Sequence, residues 1–342
     1  MSERSGTPTG HGSVTIYDVA REAGVSVSTV SRAFSRPGRV SAETARLVHE
    51  VASRLGYRSQ AIYRTPRATK TGMLGLLVSD VTNPFYFGII RGAELAAHRA
   101  GVSITLVDSQ ESRSLERRLV EHTLPTVDGL IVASSRVSDT DLRAVGKQVP
   151  IVILNRHVSG LPCVLPDTRS GMQQAVDHLV GLGHRRMAYL AGPPTSWADG
   201  QRWRTFRDAC LGLGIANHRC GPVSPTVRGG EDAADEVLRD PVTAVVAYND
   251  LVAIGLMRAL IRRGVRVPAD ISVVGFDNTF ASDLVTPGLT TVAAPLTALG
   301  EQAVRAVLHP TDPTSRTSDA PVSLPVRLVV RASTGPAASL RA

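Results

Sequence analysis

Cysteine is scarce, with only Cys163, Cys210 and Cys220 in 342 residues. None forms a Cys-x-x-Cys pair or joins a Cys/His cluster, and the odd count argues against a disulfide framework. All three are expected to be structural, and nothing in the sequence calls for a metal or other cofactor. His98, His157, His178 and His184 show no ligand spacing either. Lysine is scarcer still: only Lys70 and Lys147 occur among 38 basic residues. No apolar run reaches the roughly 18–20 residues that span a bilayer. The opening stretch MSERSGTPTGHGS lacks an apolar h-region, so residues 1–13 are expected to be a disordered lead and the location cytoplasmic. Gly-x-Ser-x-Gly, Walker A and His-Glu-x-x-His motifs are missing. Gly181-x-Gly183 and Gly212-x-Gly214 lack the third glycine and preceding strand of a dinucleotide site. No catalytic residue is expected.

What is present is unevenly distributed. The net charge is +8, yet residues 1–71 hold 11 basic and five acidic side chains, so most of the excess sits there. A local basic module suits a phosphate backbone, although a solvated surface gives the same count. Helical periodicity marks the same region. Thr15 can cap a helix with Asp18 in the capping-box position, and Ile16, Val19, Ala20 and Ala23 share a face. Gly24 breaks that helix. Ser26 can cap a second one, through Phe34, with Val30, Ala33 and Phe34 as its apolar face. Ser41 can cap a third, where Ala45, Val48, Val51, Ala52 and Leu55 recur at helical spacing. A helix, a short glycine turn and a second helix is helix-turn-helix spacing. The second helix would expose Val27, Ser28, Thr29, Ser31 and Arg32, whose hydroxyls and guanidinium suit phosphate and a guanine edge. An ordinary helical hairpin is the competing reading.

From residue 73 short apolar runs alternate with helix-like segments: 73–79, 102–108, 128–134, 150–155, 187–192, 243–248 and 270–276. Continuous apolar strands separated by helices predict parallel sheets covered on both faces. About 270 residues is long for one sheet, so two α/β lobes with a cleft between them are expected. The fold class is therefore an all-α headpiece plus an α/β core of two parallel-sheet lobes.

The run TIYDVAREAGVSVSTVSR (15–32) resembles the headpiece of the lactose/galactose-repressor (LacI/GalR) family nearly residue for residue. The resemblance resumes in VSDVTNPFY (78–86), VDGLIVAS (127–134), GHRRMAYLAGP (183–193), YNDLVAIG (248–255), VPADISVVGFDN (267–278), LTTVAAP (289–295) and PVRLVVRAST (325–334). It implies a transcription regulator acting as a repressor: a homodimer on a pseudo-palindromic double-stranded operator, nucleoid-associated when bound. It also implies a periplasmic-binding-protein-like core with a small effector between its lobes. The implied layout is a headpiece at 14–58, a hinge at 59–71, a core at 72–336 and a tail at 337–342. Within the core, an N-lobe covers about 72–166 and 293–323, and a C-lobe about 167–292 and 324–336. The tail is too short for a heptad tetramerisation helix, so a dimer is expected.

Carried over by position, Val27 and Ser28 should set base preference and Arg32 should reach a base edge. Thr15, Tyr17, Ser26, Thr29, Ser31, Arg39 and Tyr57 should contact phosphate or position the helix. The hinge, Gln60, Ala61, Tyr63 and Pro66, departs from the family: Pro66 stands where relatives place a leucine wedge for the minor groove. Proline can wedge, but it disfavours helix at Thr65. The implied effector residues are Phe85, Tyr86, Asn155, Trp197, Arg202, Asn249 and Asp277. Phe85 is alternatively plain core, Arg202 a surface helix charge, and Asn249 and Asp250 helix caps. Polar groups beside Phe85, Tyr86, Trp197 and Phe276 favour a sugar as effector. A purine or other corepressor, or DNA binding without an effector, is the alternative.

Overall fold

The computed structural model describes residues 15–35, 40–55, 70–310 and 320–338. The chain divides into two compact units, 1–69 and 70–342. In the first, α1 (Ile16–Glu22), α2 (Val27–Ser35) and α3 (Ala42–Leu55) form the headpiece. The Asp18 carboxylate accepts from the Thr15 amide at 2.9 Å and from its hydroxyl at 2.7 Å. Ser26 Oγ accepts the Thr29 amide at 3.1 Å, and Ser41 Oγ the Thr44 amide at 3.2 Å. Each serine thus meets one of the amide donors that a helix start leaves unsatisfied. Gly24 takes φ +65°, the left-handed turn that separates α1 from α2. Val19, Ala20, Val30, Ala33, Val48 and Ala52 bury the apolar faces of all three helices in one cluster.

The second unit contains two sheets. In chain order its elements begin with β1 (Met73–Val78), α4 (Phe85–Arg99), β2 (Ser103–Asp108), α5 (Arg113–Thr123), β3 (Gly129–Ala133), α6 (Asp139–Gly146), β4 (Ile151–Leu154) and β5 (Cys163–Pro166). There follow α7 (Thr168–Gly181), β6 (Arg186–Leu190), α8 (Trp197–Gly212), β7 (Ala216–Cys220), α9 (Val227–Asp232), α10 (Ala234–Val237), β8 (Ala244–Ala247) and α11 (Asp250–Arg262). The last are β9 (Ser272–Asp277), α12 (Ala281–Leu284), β10 (Thr290–Ala293), α13 (Leu296–Leu308), β11 (Val322–Leu324) and β12 (Arg327–Val329). The first sheet runs β11-β5-β4-β3-β1-β2 and is wholly parallel. The second runs β12-β10-β9-β8-β6-β7, with only β12 antiparallel. Central strands β3, β4, β8 and β9 are buried along their whole length, as helices on both faces require. The sequence reading did not identify β5, β7, β10, β11 or β12 as strands.

The chain crosses between lobes three times: after β5, after β10 and between β11 and β12. The helix α13 follows a strand of the second sheet yet packs on α4 of the first lobe. Their close contact needs glycine. A Cβ on Gly92 would lie 1.9 Å from the Thr297 carbonyl oxygen, and one on Gly300 2.1 Å from that of Ile89. The second lobe repeats the device between α9 and α11, through Gly230 and Gly255. On the surface Phe87 of α4 stacks on Phe280 beside α12, with ring centroids 6.2 Å apart, joining the two lobes. His184 is buried at the base of the second lobe. Its Nδ1 meets Thr243 Oγ1 at 2.8 Å, and its Nε2 lies 3.1 Å from the Gly335 carbonyl, fastening the chain beyond β12. Burial holds this imidazole below its ordinary pKa.

Gly92→Ala should lower stability by about 1–3 kcal/mol, because the new methyl meets backbone that cannot give. Gly181 closes α7 with nothing within 4 Å of a Cβ and no left-handed φ. Gly181→Ala should therefore be neutral or stabilising by about 0.4–1 kcal/mol. Urea unfolding of the two variants separates these outcomes.

Candidate functional site

In the headpiece, Thr15, Ser26, Ser28 and Arg32 are exposed, and Tyr17 is 69 % exposed. The Ser26 hydroxyl lies 2.9 Å from that of Ser28 and 2.8 Å from that of Thr29, at the start of α2. Val27 is half-buried and packs against the headpiece cluster. Thr29 and Ser31 are half-buried as well. Arg39, Tyr57, Gln60, Ala61, Tyr63 and Pro66 lie outside the described residues.

In the second unit a cleft opens where the carboxyl ends of the strands of both sheets meet, the usual ligand position in open parallel sheets. Its walls carry Phe85 and Tyr86 from the start of α4, Asn155 after β4, Arg202 from α8, and Asn249 and Asp277 after β8 and at the end of β9. Trp197 is not among the lining residues: it opens α8 behind the Ser196 cap. The sequence reading did not single out Glu111, Ser134, Pro225 and Tyr248 as site residues, although they line the cleft too.

Backbone strain concentrates here. Among the described residues, six non-glycine positions have positive φ: Gln110, Glu111, Ser134, Asn155, Asp277 and Asn278. All fall at the carboxyl ends of β2, β3, β4 and β9. Such conformations cost of order 1–3 kcal/mol each and persist where the surroundings impose them, commonly at ligand sites.

Arg202 is 2 % exposed, so it is no surface charge. Its Nη2 meets Asp277 Oδ1 at 2.9 Å, and its Nη1 donates to the Tyr248 carbonyl. The guanidinium carbon lies 3.7 Å from the Phe276 ring centroid. Its Nε has no hydrogen-bond partner. Burial pushes the Asp277 carboxyl up to about 7; Arg202 pulls it down, and the neighbouring Asp250 pushes it further up. Asp250 does not cap α11. It is fully buried and accepts from the Thr279 amide, Ser282 Oγ and Thr291 Oγ1, each at 2.6 Å. Asn249 caps instead, its Oδ1 accepting the Val252 amide at 2.9 Å while its residue lines the cleft. Phe85 packs in the core of the first lobe and also lines the cleft.

The opposite wall is fixed by carboxylates. Glu116 accepts the Arg136 amide at 2.7 Å and the Ser135 hydroxyl, which sets the loop after β3. Arg136 Nη2 and Nε then reach Glu111 Oε2 at 2.6 and 2.8 Å. Asn155 Nδ2 donates to Ser134 Oγ at 3.0 Å. The cleft thus offers aromatic faces, amides and charge-paired polar groups to a small ligand.

A family model for bacterial regulatory proteins of the lacI family matches residues 15–60, and one for a periplasmic binding protein-like domain matches 176–334. The transcriptional regulator GalR of Escherichia coli K12 is 34 % identical over 302 residues, which cover 86 % of this chain and 88 % of GalR. This chain belongs to the LacI family. The lac repressor dimer bound to operator and an anti-inducer shares 29 % identity and superposes with a TM-score of 0.69 over 95 % of this chain and all of that one. A complex of the regulator CelR with cellobiose shares 29 % identity and has a TM-score of 0.69, covering 94 % and 99 % of the two chains. Like its LacI-family relatives, the protein is a DNA-binding transcriptional regulator and not an enzyme. Among the described residues no helix is long and apolar enough to cross a membrane.

Replacing Arg202 alone should strand a buried carboxylate. Arg202→Leu is expected to cost about 3–5 kcal/mol, and Arg202→Met with Asp277→Leu to recover much of it, in chemical denaturation. Equal losses in the single and double variants would show that the pair is not what the region depends on.

Proposed function

We propose that this LacI-family regulator is a cytoplasmic repressor that binds a pseudo-palindromic operator as a homodimer and is controlled by a sugar in the cleft. The observation that carries the reading is the cleft itself, walled by strand ends of both lobes and furnished with aromatic and hydrogen-bonding groups. A ligand touching both walls favours one relative placement of the lobes, and that bias is what couples effector to DNA. Sugar contact is supported by the cellobiose bound to CelR. Within the core we assign an N-lobe to about 72–166 and 293–323, and a C-lobe to about 167–292 and 324–336. We also assign DNA contact to Thr15, Tyr17, Ser26, Val27, Ser28, Thr29, Ser31 and Arg32.

Dimerisation is supported by exposed apolar side chains on both lobes. Leu95 and Leu106 lie on α4 and edge strand β2, and Ile261 and Leu284 on α11 and α12. An uncovered edge strand with apolar residues invites pairing unless another surface covers it. A second copy related by a two-fold axis would cover both places at once, and the lac repressor relative is a dimer.

The deciding experiment is titration of the protein with its own upstream DNA at two salt concentrations, with and without free sugars. Tight, salt-sensitive binding to a short pseudo-palindrome, weakened by one sugar, is the expected result. Weak, sequence-independent binding would refute the operator reading. Arg32→Ala should cost about 1–3 kcal/mol on the operator and relax discrimination at one base pair per half-site. Leu284→Arg should shift the sedimentation profile from dimer toward monomer; a wild-type monomer or tetramer at low micromolar concentration contradicts the dimer.

A further inference from the structure

The charges around the cleft say more about its ligand than its shape does. Three ionisable carboxylate or guanidinium groups line it: Glu111, Arg202 and Asp277. Arg202 is matched inside the protein by Asp277 and by the Tyr248 carbonyl. Glu111 is matched by Arg136, which lies behind it with a side chain only 3 % exposed. Arg156, also on the loop side of β4, is bound to Asp139 and to the Ser135 and Val137 carbonyls. Among the described residues, the lining therefore includes no cation without a counter-ion.

At each helix start at the cleft an asparagine already takes one of the free amides. The N-termini of α4 and α11 would ordinarily attract an anion. Here Asn83 Oδ1 accepts the Phe85 amide at 3.0 Å and Asn249 Oδ1 the Val252 amide at 2.9 Å. A phosphate entering this space would bring about two negative charges beside the carboxylates of Glu111 and Asp277. Its desolvation would go uncompensated, which costs several kcal/mol.

The groups left over suit hydroxyls. Both Arg136 contacts fall on Glu111 Oε2, so Oε1 keeps its lone pairs. Arg202 Nε is an unpaired donor. Asn249 and Asn83 have committed their carbonyl oxygens and retain amide donors, whereas Asn155 has committed its amide and retains an acceptor. A polyol, whose every hydroxyl both donates and accepts, can satisfy this mixture.

Resting on the effector reading above, we infer that the cleft selects an uncharged polyhydroxyl ligand, a free sugar, and rejects phosphorylated and carboxylated sugars, with Glu111 as the residue that enforces the choice. Its carboxylate accepts a ligand hydroxyl, repels anions and neutralises Arg136.

The test uses the full-length protein in calorimetry and thermal shift. The probes are D-ribose, D-xylose, D-glucose, D-galactose and cellobiose, together with ribose 5-phosphate, glucose 6-phosphate and gluconate. A neutral sugar should bind about 100-fold or more tightly than its anionic counterpart. Glu111→Gln should weaken that sugar by about tenfold, the loss of one charge-assisted hydrogen bond. The same variant leaves Arg136 without its counter-ion and should be stabilised by inorganic phosphate at fixed ionic strength, whereas wild type should not. Glu111→Gln with Arg136→Gln should lose the phosphate response, which separates it from general destabilisation. An anionic sugar binding as tightly as its neutral parent overturns the inference, as does stabilisation of wild type by phosphate. If no sugar of either kind binds, the sugar-effector reading falls, and the phosphate response of Glu111→Gln still decides the charge rule.

Discussion

A guanidinium removed from water must have its charge met by the protein, and the floor of the cleft is organised around that need. Arg202 projects from α8 to the ends of two strands, where Asp277, the Tyr248 carbonyl and the Phe276 ring receive it. One side chain thereby sets the relative height of α8, β8 and β9. The second buried carboxylate nearby meets the same problem without a cation. Asp250 is held by an amide and two hydroxyls. That difference explains the division of labour. Asp250 fastens α11 to the loop after β9 and to β10, and Asp277 is left at the cleft wall.

The surroundings are stiff where the site needs stiffness. Glycines bring α4 against α13 and α9 against α11 at backbone contact, so each lobe behaves as a packed block. Among the described residues, non-glycine backbone strain is gathered at strand ends, where six residues hold positive φ. The arrangement gives side chains such as Glu111 and Asn155 directions that an ordinary strand exit would not.

The headpiece and the central strands were legible because local and global demands agree there. Thr15, Ser26 and Ser41 announce helix starts, and short runs such as MLGLLV, set between helix-like segments, point to a doubly covered strand. Strands β5, β7, β10, β11 and β12 were not legible. β7 reads ANHRC, a polar segment whose pairing comes wholly from its neighbour β6, and β11 and β12 have three residues each. Tertiary pairing overrides a pattern that short. The resemblance singled out six residues that line the cleft, but it missed Glu111, whose role depends on Arg136 lying 25 positions away. The rule that ligands gather at strand carboxyl ends would have pointed to the residues after β2.

The three crossings between lobes have a consequence for how such a chain can be altered by recombination. The first sheet takes its edge strand β11 from beyond β10, and α13 lies on the first lobe although it follows a strand of the second. No single cut in the coding sequence therefore yields either lobe whole. A crossover inside the core would join half of one hydrophobic block to half of another, with glycine contacts cut to fit a different partner. The headpiece, in contrast, is one uninterrupted stretch forming its own compact unit. Exchange of genetic material can transplant DNA recognition as a cassette, whereas ligand recognition must be inherited entire and changed one residue at a time.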